Sequence, residues 1–261
     1  MAGLMAGKRG LIMGVANERS IAWGIAEAAA KQGAELAFSY QMEGFGKRLR
    51  PLAESIGSDL LIECDVAHEG EVAGCFDTLA KTWPTIDFVV HALAFSDKNE
   101  LKGAYMDTSR DNFINTMMVS AFSFTETAQA ARKMMPNGGS LLTLSYIGAQ
   151  RITPNYNAMG VAKAALEASV RYLAVDLGGE NIRVNGLSAG PMKTLAGAAI
   201  TGARHIYRHS EENAPLGRNP DIYEVGRSGL YLISDLSSGV TGETHFVDGG
   251  FNAVAVPPET L

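Results

Sequence analysis

Two tyrosines and one lysine in a short stretch of the chain could carry out acid chemistry. Residues 145–163 read SYIGAQRITPNYNAMGVAK and contain Tyr146, Tyr156 and Lys163. Lys163 lies seven positions after Tyr156, which is two helical turns and about 20° short of full alignment, so both side chains should share one helix face. We expect the ammonium to lower the pKa of the phenol from its usual value of about 10. Such a phenol could donate a proton to an oxygen that becomes negative during a reaction.

A predicted helix positions this pair. From Asn157 to about Leu177 the chain contains no proline and is rich in Ala, Leu, Glu and Lys, and Gly178 with Gly179 then predicts the helix end. Taken alone, the pattern also fits a half-buried packing tyrosine and a solvated lysine, so the rest of the chain must decide.

Short apolar runs alternate with helical patterns along the whole chain. Predicted strands cover 10–13, 35–39, 59–63, 86–91, 140–144, 183–187 and 243–247. Predicted helices cover 20–32, 44–55, 69–83, 108–135, 157–177 and 221–234, while 192–217 reads as irregular or loosely helical. This alternation predicts an α/β fold, a Rossmann-type doubly wound parallel sheet of seven strands with helices on both faces. We expect a single domain over 1–261, with a mobile substrate-covering segment at about 192–217.

Composition and charge exclude several classes of protein. The 261 residues are 46% hydrophobic and 19% charged, which is typical of a globular protein with a substantial core. A net charge of −6 and the lack of long Lys/Arg runs argue against nucleic-acid binding. We expect no membrane span and a cytoplasmic location, because no long apolar stretch or export signal is seen. Cys64 and Cys75 are expected to be free thiols. His205 and His209 lack a third ligand, so no metal site is expected.

The first predicted strand-to-helix turn could bind a nucleotide. Gly14 can make the tight turn, and Ser20 is the expected N-cap, where a phosphate could meet the helix N-terminus. Asp65 follows the third strand, where a carboxylate can hold an adenine amino group. No acidic residue or arginine adjoins Gln41 at the end of the second strand. We therefore favour NADH over NADPH, although Lys47 and the arginine after it lie nearby.

These motifs resemble the short-chain dehydrogenase/reductase superfamily. Most members have Tyr four residues before the Lys and Ser thirteen before that Tyr, but here Met159 and Tyr146 occupy those positions. The Tyr-x6-Lys spacing instead resembles the NADH-dependent enoyl-acyl-carrier-protein reductases of bacterial type II fatty-acid synthesis, the FabI type. GVANERSIAWGIA, LLTLSYIGA, PNYNAMGVAKAALEASVRYLA, IRVNGLSAGPMKTLA and VDGGF also resemble that family.

The resemblance implies a role for each matching residue. Lys163 would hold the nicotinamide ribose, and Tyr156 would bind the thioester carbonyl while hydride reaches the β-carbon of a trans-2-enoyl chain. Tyr146 would line the acyl pocket and Ser96 would lie near the substrate. The implied NADH contacts are Gly14, Ser20, Ile21, Gln41, Asp65, Val66, Leu93, Lys163, Met192, Lys193, Thr194, Leu195 and Ala196. The implied partners are an acyl carrier protein carrying an enoyl chain and, in a homotetramer, further copies of this chain.

Other functions stay open at this point. A carbonyl-reducing relative, such as a 3-oxoacyl reductase, is disfavoured by Met159, and a non-enzymatic nucleotide sensor is disfavoured by the tyrosine–lysine pair. Ala94 and Ala203 replace a glycine and an aromatic residue common in the resembling family, so chain-length preference and inhibitor response are not predicted. Arg204 and Arg208 form either a solvated face, which we favour, or a docking patch for an acidic carrier protein.

Overall fold

The computed structural model of the chain describes residues 3–198 and 200–255. Within these ranges it contains seven strands in one parallel sheet, namely β1 (Arg9–Met13), β2 (Glu35–Tyr40), β3 (Leu61–Glu63), β4 (Phe88–His91), β5 (Gly139–Ser145), β6 (Ile182–Ala189) and β7 (Thr244–Val247). Their spatial order is β3-β2-β1-β4-β5-β6-β7. The chain therefore winds outwards in both directions from β1 and β4, and a crevice is expected at that switch point, beyond the carboxyl ends of the strands.

Nine α-helices accompany the sheet in the described part of the chain. They are α1 (Ile21–Lys31), α2 (Glu43–Ser55), α3 (Glu71–Ala80), α4 (Arg110–Met117), α5 (Ser123–Arg132), α6 (Asn157–Gly178), α7 (Leu195–Ala198), α8 (Ala203–Asn213) and α9 (Ile222–Ile233). Alternate strand residues enter two separate cores. Leu11 and Leu141 pack with residues of α3, α5 and α6, whereas Ile12 and Leu142 pack with residues of α1, α2 and α9. Both faces are covered, which confirms the predicted doubly wound fold.

Two predicted segments differ in detail from the structure. The single helix over 108–135 is instead α4 and α5 joined by a π-helical segment, Met118–Phe122. Its central residue, Ser120, is fully buried, accepts a hydrogen bond from Phe95 N at 2.9 Å and donates one to Phe95 O at 3.0 Å. π segments often mark functional sites. The stretch predicted to be irregular or loosely helical over 192–217 contains the short helices α7 and α8, and Gly202, with φ of 83°, is the N-cap residue of α8.

Candidate active site

The turn after β1 passes close to the end of β4. Gly14 has φ of 99°, and a methyl group there would lie 2.2 Å from Ala92 O, so only glycine fits. Ser20 stands at the predicted N-cap position of α1, but its hydroxyl makes no cap bond to the helix. It accepts instead from Ala16 N at 3.0 Å and Asn17 N at 3.1 Å. Ser20 is therefore the N-cap residue, as predicted, but its hydroxyl closes the preceding turn and does not cap the helix.

Three of the implied NADH contacts, including Asp65 as the predicted partner of the adenine amino group, come together after β2 and β3. Gln41 Nε2 donates to Asp65 Oδ2 at 3.0 Å, and Ala67 N donates to Asp65 Oδ1 at 3.1 Å. Val66 is buried beside them. This orients the carboxylate of Asp65 at the carboxyl edge of the sheet, where a ligand amino group could reach it.

The two tyrosines pack against each other. Their ring centroids are 5.1 Å apart and the ring planes meet at 68°, an edge-to-face contact. Tyr156 is only 8% exposed and packs with Leu101 and Met159. Burial, with a smaller contribution from Tyr146, raises the pKa of Tyr156. The predicted lowering by Lys163 was wrong, so the phenol is a neutral O–H donor.

Lys163 is buried on α6 and faces the end of β5. Its Nζ donates to Leu144 O at 2.7 Å, which uses one of its three N–H donors. Burial lowers the pKa of Lys163 to about 8, and the nearby carboxylate of Glu167 opposes that shift. The side chain is therefore mostly an ammonium at neutral pH.

The backbone on both sides of Tyr156 is left-handed. Asn155 has φ of 58° and Asn157 has φ of 33°, a region that costs most residues free energy and that asparagine tolerates better. The Asn155 side chain donates to Thr201 O at 2.9 Å, and that of Asn157 donates to Gly103 O at 3.3 Å. We did not predict these conformations, although asparagine on both sides of the tyrosine was an available signal.

Gly148 is a further residue that the sequence reasoning missed. A methyl group there would lie 2.5 Å from Tyr156 Cδ1 and 3.1 Å from Tyr146 Cδ1. A methyl group at Gly160 would lie 2.9 Å from Gly148 O. The absence of a side chain at Gly148 therefore lets both rings pack against this turn.

The loop after β4 is tied to the helices beside it. Thr116 Oγ1 donates to Ser96 Oγ at 2.8 Å, and Asn112 lies within 3.3 Å of the same hydroxyl. Ser96, predicted to lie near the substrate, thus has its hydroxyl engaged by α4. Leu93 is half-buried next to Gly14, as a methyl group at Gly14 would lie 3.2 Å from Leu93 Cδ2.

The predicted cofactor contacts after β6 surround the start of α7. Thr194 Oγ1 accepts from Gly197 N at 3.0 Å, and Leu195 is 52% exposed. Lys193 Nζ lies 5.0 Å from the centre of the Tyr207 ring on α8. Met192 is half-buried, Ala196 lies in α7 and Ile21 begins α1.

The histidines contribute no metal centre in the described ranges. His205 and His209 stack on α8 with centroids 6.2 Å apart, and no group of three or more His, Cys, Asp or Glu there could hold a metal. His91 Nδ1 lies 3.0 Å from Thr143 Oγ1, and His91 Nε2 lies 2.8 Å from Ser123 Oγ. Burial, with a smaller contribution from Lys163, lowers the pKa of His91 to about 3, so its ring is neutral.

In residues 3–198 and 200–255 no helix has the length and apolar character needed to cross a membrane.

Comparison with known proteins decides the family. A family model described as enoyl-(acyl carrier protein) reductase matches residues 14–252. This chain belongs to that reductase family. It is 60% identical over 257 residues to enoyl-[acyl-carrier-protein] reductase [NADH] 2 of Rhizobium meliloti, an alignment covering 98% of this chain and 96% of the relative.

Solved structures of the reductase family share the whole fold. The crystal structure of FabI from Candidatus Liberibacter asiaticus is 56% identical with a TM-score of 0.96, and the match covers 99% of this chain and 100% of that one. An Anaplasma phagocytophilum enoyl-(acyl-carrier-protein) reductase, solved in complex with NAD, is 54% identical with a TM-score of 0.95. That match covers 99% of both chains.

Proposed function

We propose that this chain reduces the trans-2 double bond of enoyl-acyl-carrier-protein thioesters with NADH, in type II fatty-acid biosynthesis. The observation that carries the proposal is a neutral Tyr156 phenol, packed against Tyr146 two helical turns before a buried Lys163 ammonium. Membership of the enoyl-(acyl carrier protein) reductase family and 60% identity to an NADH-dependent relative support it.

The chain's own residues fit the cofactor. Gly14 forms a cradle that a methyl group would fill, where backbone can approach a pyrophosphate, and Asp65 is oriented by Gln41 for an adenine amino group. Lys163 would hold the nicotinamide ribose hydroxyls with its remaining N–H donors. The predicted contacts at 192–196 would lie along the same ligand. When bound, NADH supplies the hydride that reaches the β-carbon.

Tyr156 supplies the acid. The β-carbon is conjugated to the thioester carbonyl through the trans-2 double bond. As the β-carbon gains hydride, negative charge therefore develops on the carbonyl oxygen. A neutral phenol can donate a hydrogen bond to that oxygen, and one such donor is worth about 3 kcal/mol of transition-state stabilisation. The ring of Tyr146 contacts that of Tyr156 in an edge-to-face arrangement. Tyr146 would also line the acyl pocket. Ser96 is proposed to act near the substrate through the loop that it fixes.

A carbonyl-reducing activity is the alternative. In such enzymes the tyrosine lies four residues before the lysine, where this chain has Met159. Met159 is buried against Tyr156 and Leu101 and has no acidic proton. We therefore expect no reduction of a 3-oxoacyl thioester.

The test follows NADH absorbance with crotonyl-CoA, and separately with acetoacetyl-CoA, and repeats both with NADPH. We expect oxidation of NADH with crotonyl-CoA only, a large loss in Lys163→Ala, and a smaller loss in Tyr156→Phe if Tyr146 compensates. Turnover of acetoacetyl-CoA would favour the carbonyl reductase. NADH binding without turnover of any enoyl thioester would favour a nucleotide sensor.

We further propose one domain with a substrate-covering segment at 192–217. A single sheet and a family match over 14–252 support one domain. Residues 1, 2, 199 and 256–261, which belong to the predicted domain, lie outside the described residues. The covering segment holds α7 and α8. Proteolysis with and without NADH tests it, because bound cofactor should protect bonds in this segment first.

Arg204 and Arg208 are proposed to form a solvated face, and the alternative to be tested is docking of the acidic carrier protein there. Both are exposed on α8, one turn apart. If the carrier docks there, reversing both charges should raise KM for a carrier-linked substrate and leave KM for the CoA substrate unchanged, because CoA does not bring the carrier's acidic surface. Equal effects on both substrates would eliminate this role.

A homotetramer in the cytoplasm is the proposed state. Apolar side chains lie exposed on α4, on the π segment that follows it and on α6, which supports burial against further copies: Ile114, Met118, Phe122, Tyr172 and Val175. Light scattering of the eluted protein should give four times the chain mass. Replacing Tyr172 and Val175 with Glu should dissociate the assembly, and a monomeric wild type would refute it.

A further inference from the structure

A buried carboxylate lies one helical turn beyond the lysine of the proposed site. Glu167 is 4% exposed and Lys163 is 6% exposed, both on α6. Burying a carboxylate is costly unless each oxygen has a partner. Ser145 Oγ donates to Glu167 Oε1 at 2.6 Å, and Gln150 Nε2 donates to Glu167 Oε2 at 2.9 Å. Glu167 is thus held by two neutral donors, and its negative charge is not cancelled by either.

Those two donors lie on either side of Tyr146. Ser145 ends β5 and Gln150 follows the short 3-10 turn Ile147–Ala149. Leu144, the residue before Ser145, accepts the hydrogen bond from Lys163 at 2.7 Å. Side chains from two adjacent turns of α6 therefore hydrogen-bond to both ends of the segment 144–150, which carries Tyr146. Loss of the carboxylate would release that segment at both points.

We propose that Glu167 is a positioning residue for the reductase, holding the Tyr146 segment against α6 and supplying the buried negative charge that keeps Lys163 an ammonium. This inference rests on the proposed function, since the ammonium matters there as the group that holds the nicotinamide ribose. Glu167 would act through Lys163 and through the segment that carries Tyr146.

The charges around Lys163 single out Glu167. Burial lowers the pKa of Lys163 to about 8, and Glu167 acts in the opposite direction. His91, facing it from β4, is neutral because burial lowers its pKa to about 3. Tyr146 and Tyr156 are neutral as well, because burial raises the pKa of both phenols. Without the carboxylate, the pKa of Lys163 should therefore fall towards the working pH.

The test compares wild type with Glu167→Gln, which keeps size and removes charge. NADH binding to the free protein, followed by nicotinamide fluorescence, and kcat/KM for crotonyl-CoA are both measured against pH. We expect the alkaline limb of both profiles to move down by about one pH unit or more, as for loss of a nearby opposite charge. Asp176→Asn is the matched control, because Asp176 is exposed on the same helix, far from Lys163. Its profiles should match wild type.

Two further variants separate charge from position. Glu167→Asp keeps the charge but shortens the reach to Ser145 and Gln150, so kcat should fall about tenfold or more while the alkaline limb stays in place. Ser145→Ala combined with Gln150→Ala should act in the same way.

The variants test the electrostatic role and the positioning role of Glu167 separately. Profiles of Glu167→Gln that superimpose on wild type would overturn the electrostatic role, and an unchanged kcat in Glu167→Asp would overturn the positioning role. If Glu167→Gln fails to fold, Glu167→Asp still decides, since a purely structural role would not lower kcat in a variant that melts as wild type does. A wild type that neither binds NADH nor turns over would instead refute the proposed function itself.

Discussion

Replacing Gly148 with alanine should displace the ring of Tyr156, the proposed acid, while leaving the proposed cofactor contacts in place. Gly148 lies in the 3-10 turn Ile147–Ala149 and does not have a positive φ, so alanine suits its backbone. The added methyl group would lie 2.5 Å from Tyr156 Cδ1 and 2.8 Å from Cε1, whereas ordinary contacts begin near 3.4 Å. The ring must therefore move by about 1 Å.

The size of the effect follows from that displacement. A shift of about 1 Å at a catalytic group can cost about 100-fold in rate, and overpacking typically costs about 1–3 kcal/mol of stability. We expect kcat for crotonyl-CoA to fall about 100-fold. NADH affinity should hold, since the clash involves the two tyrosine rings and not Lys163 or the turn after β1.

The assay measures NADH consumption and NADH binding in parallel. Gly178→Ala is the control, because a methyl group at Gly178, at the end of α6, would have nothing within 4 Å. Its kcat should match that of wild type. If Gly148→Ala retained full kcat with native melting behaviour, the claim that the position of the Tyr156 ring sets the rate would be refuted.

Three other substitutions probe the supporting residues. Ser120→Ala leaves both backbone groups of Phe95 without their partner, so the free energy of unfolding should fall by roughly 1–3 kcal/mol and kcat should drop; a urea titration showing no loss would contradict this. Asp65→Asn should weaken NADH binding about tenfold, because a charged acceptor is lost, while KM for crotonyl-CoA stays constant; an unchanged NADH titration would reject the adenine contact. His91 has a pKa of about 3 when folded, so the unfolded chain binds more protons below its ordinary pKa and stability falls as the pH drops. The loss should reach about 2 kcal/mol near pH 5, and His91→Asn should abolish it; equal slopes in urea unfolding against pH would disprove this.

The parts of this molecule that could be predicted are those with a local or periodic signal. Alternating apolar runs and glycine stops predict the strands and helices, and the spacing of Tyr156 and Lys163 places both at the start of one helix. The direction of the Tyr156 pKa shift could not be predicted, because it depends on burial beneath residues distant in sequence such as Leu101. The hydrogen bonds of Glu167 could not be predicted either, because they also join residues distant in sequence. Its donor Ser145 lies on another element, and nothing in the spacing of the two residues reveals their contact.

The π segment escaped prediction for a related reason. Helical periodicity runs through 108–135 without a glycine or proline to interrupt it. The extra residue in the turn is accounted for by the bond between Ser120 and the loop after β4, which is a tertiary contact. Local helix propensity carries no information about such a contact. Pro136, in contrast, is a local signal, and it predicts the end of the helical stretch.

The side-chain amide of Asn155 connects the proposed substrate-covering segment to the turn that carries Tyr156. It joins the turn just before Tyr156 to Thr201, in the stretch between α7 and α8. Outward movement of the stretch around Thr201, if it admits an acyl chain, would either break this hydrogen bond or move the turn before Tyr156 with it. If the proposed covering segment opens for substrate, its movement and the position of the Tyr156 phenol would therefore be coupled through this one hydrogen bond.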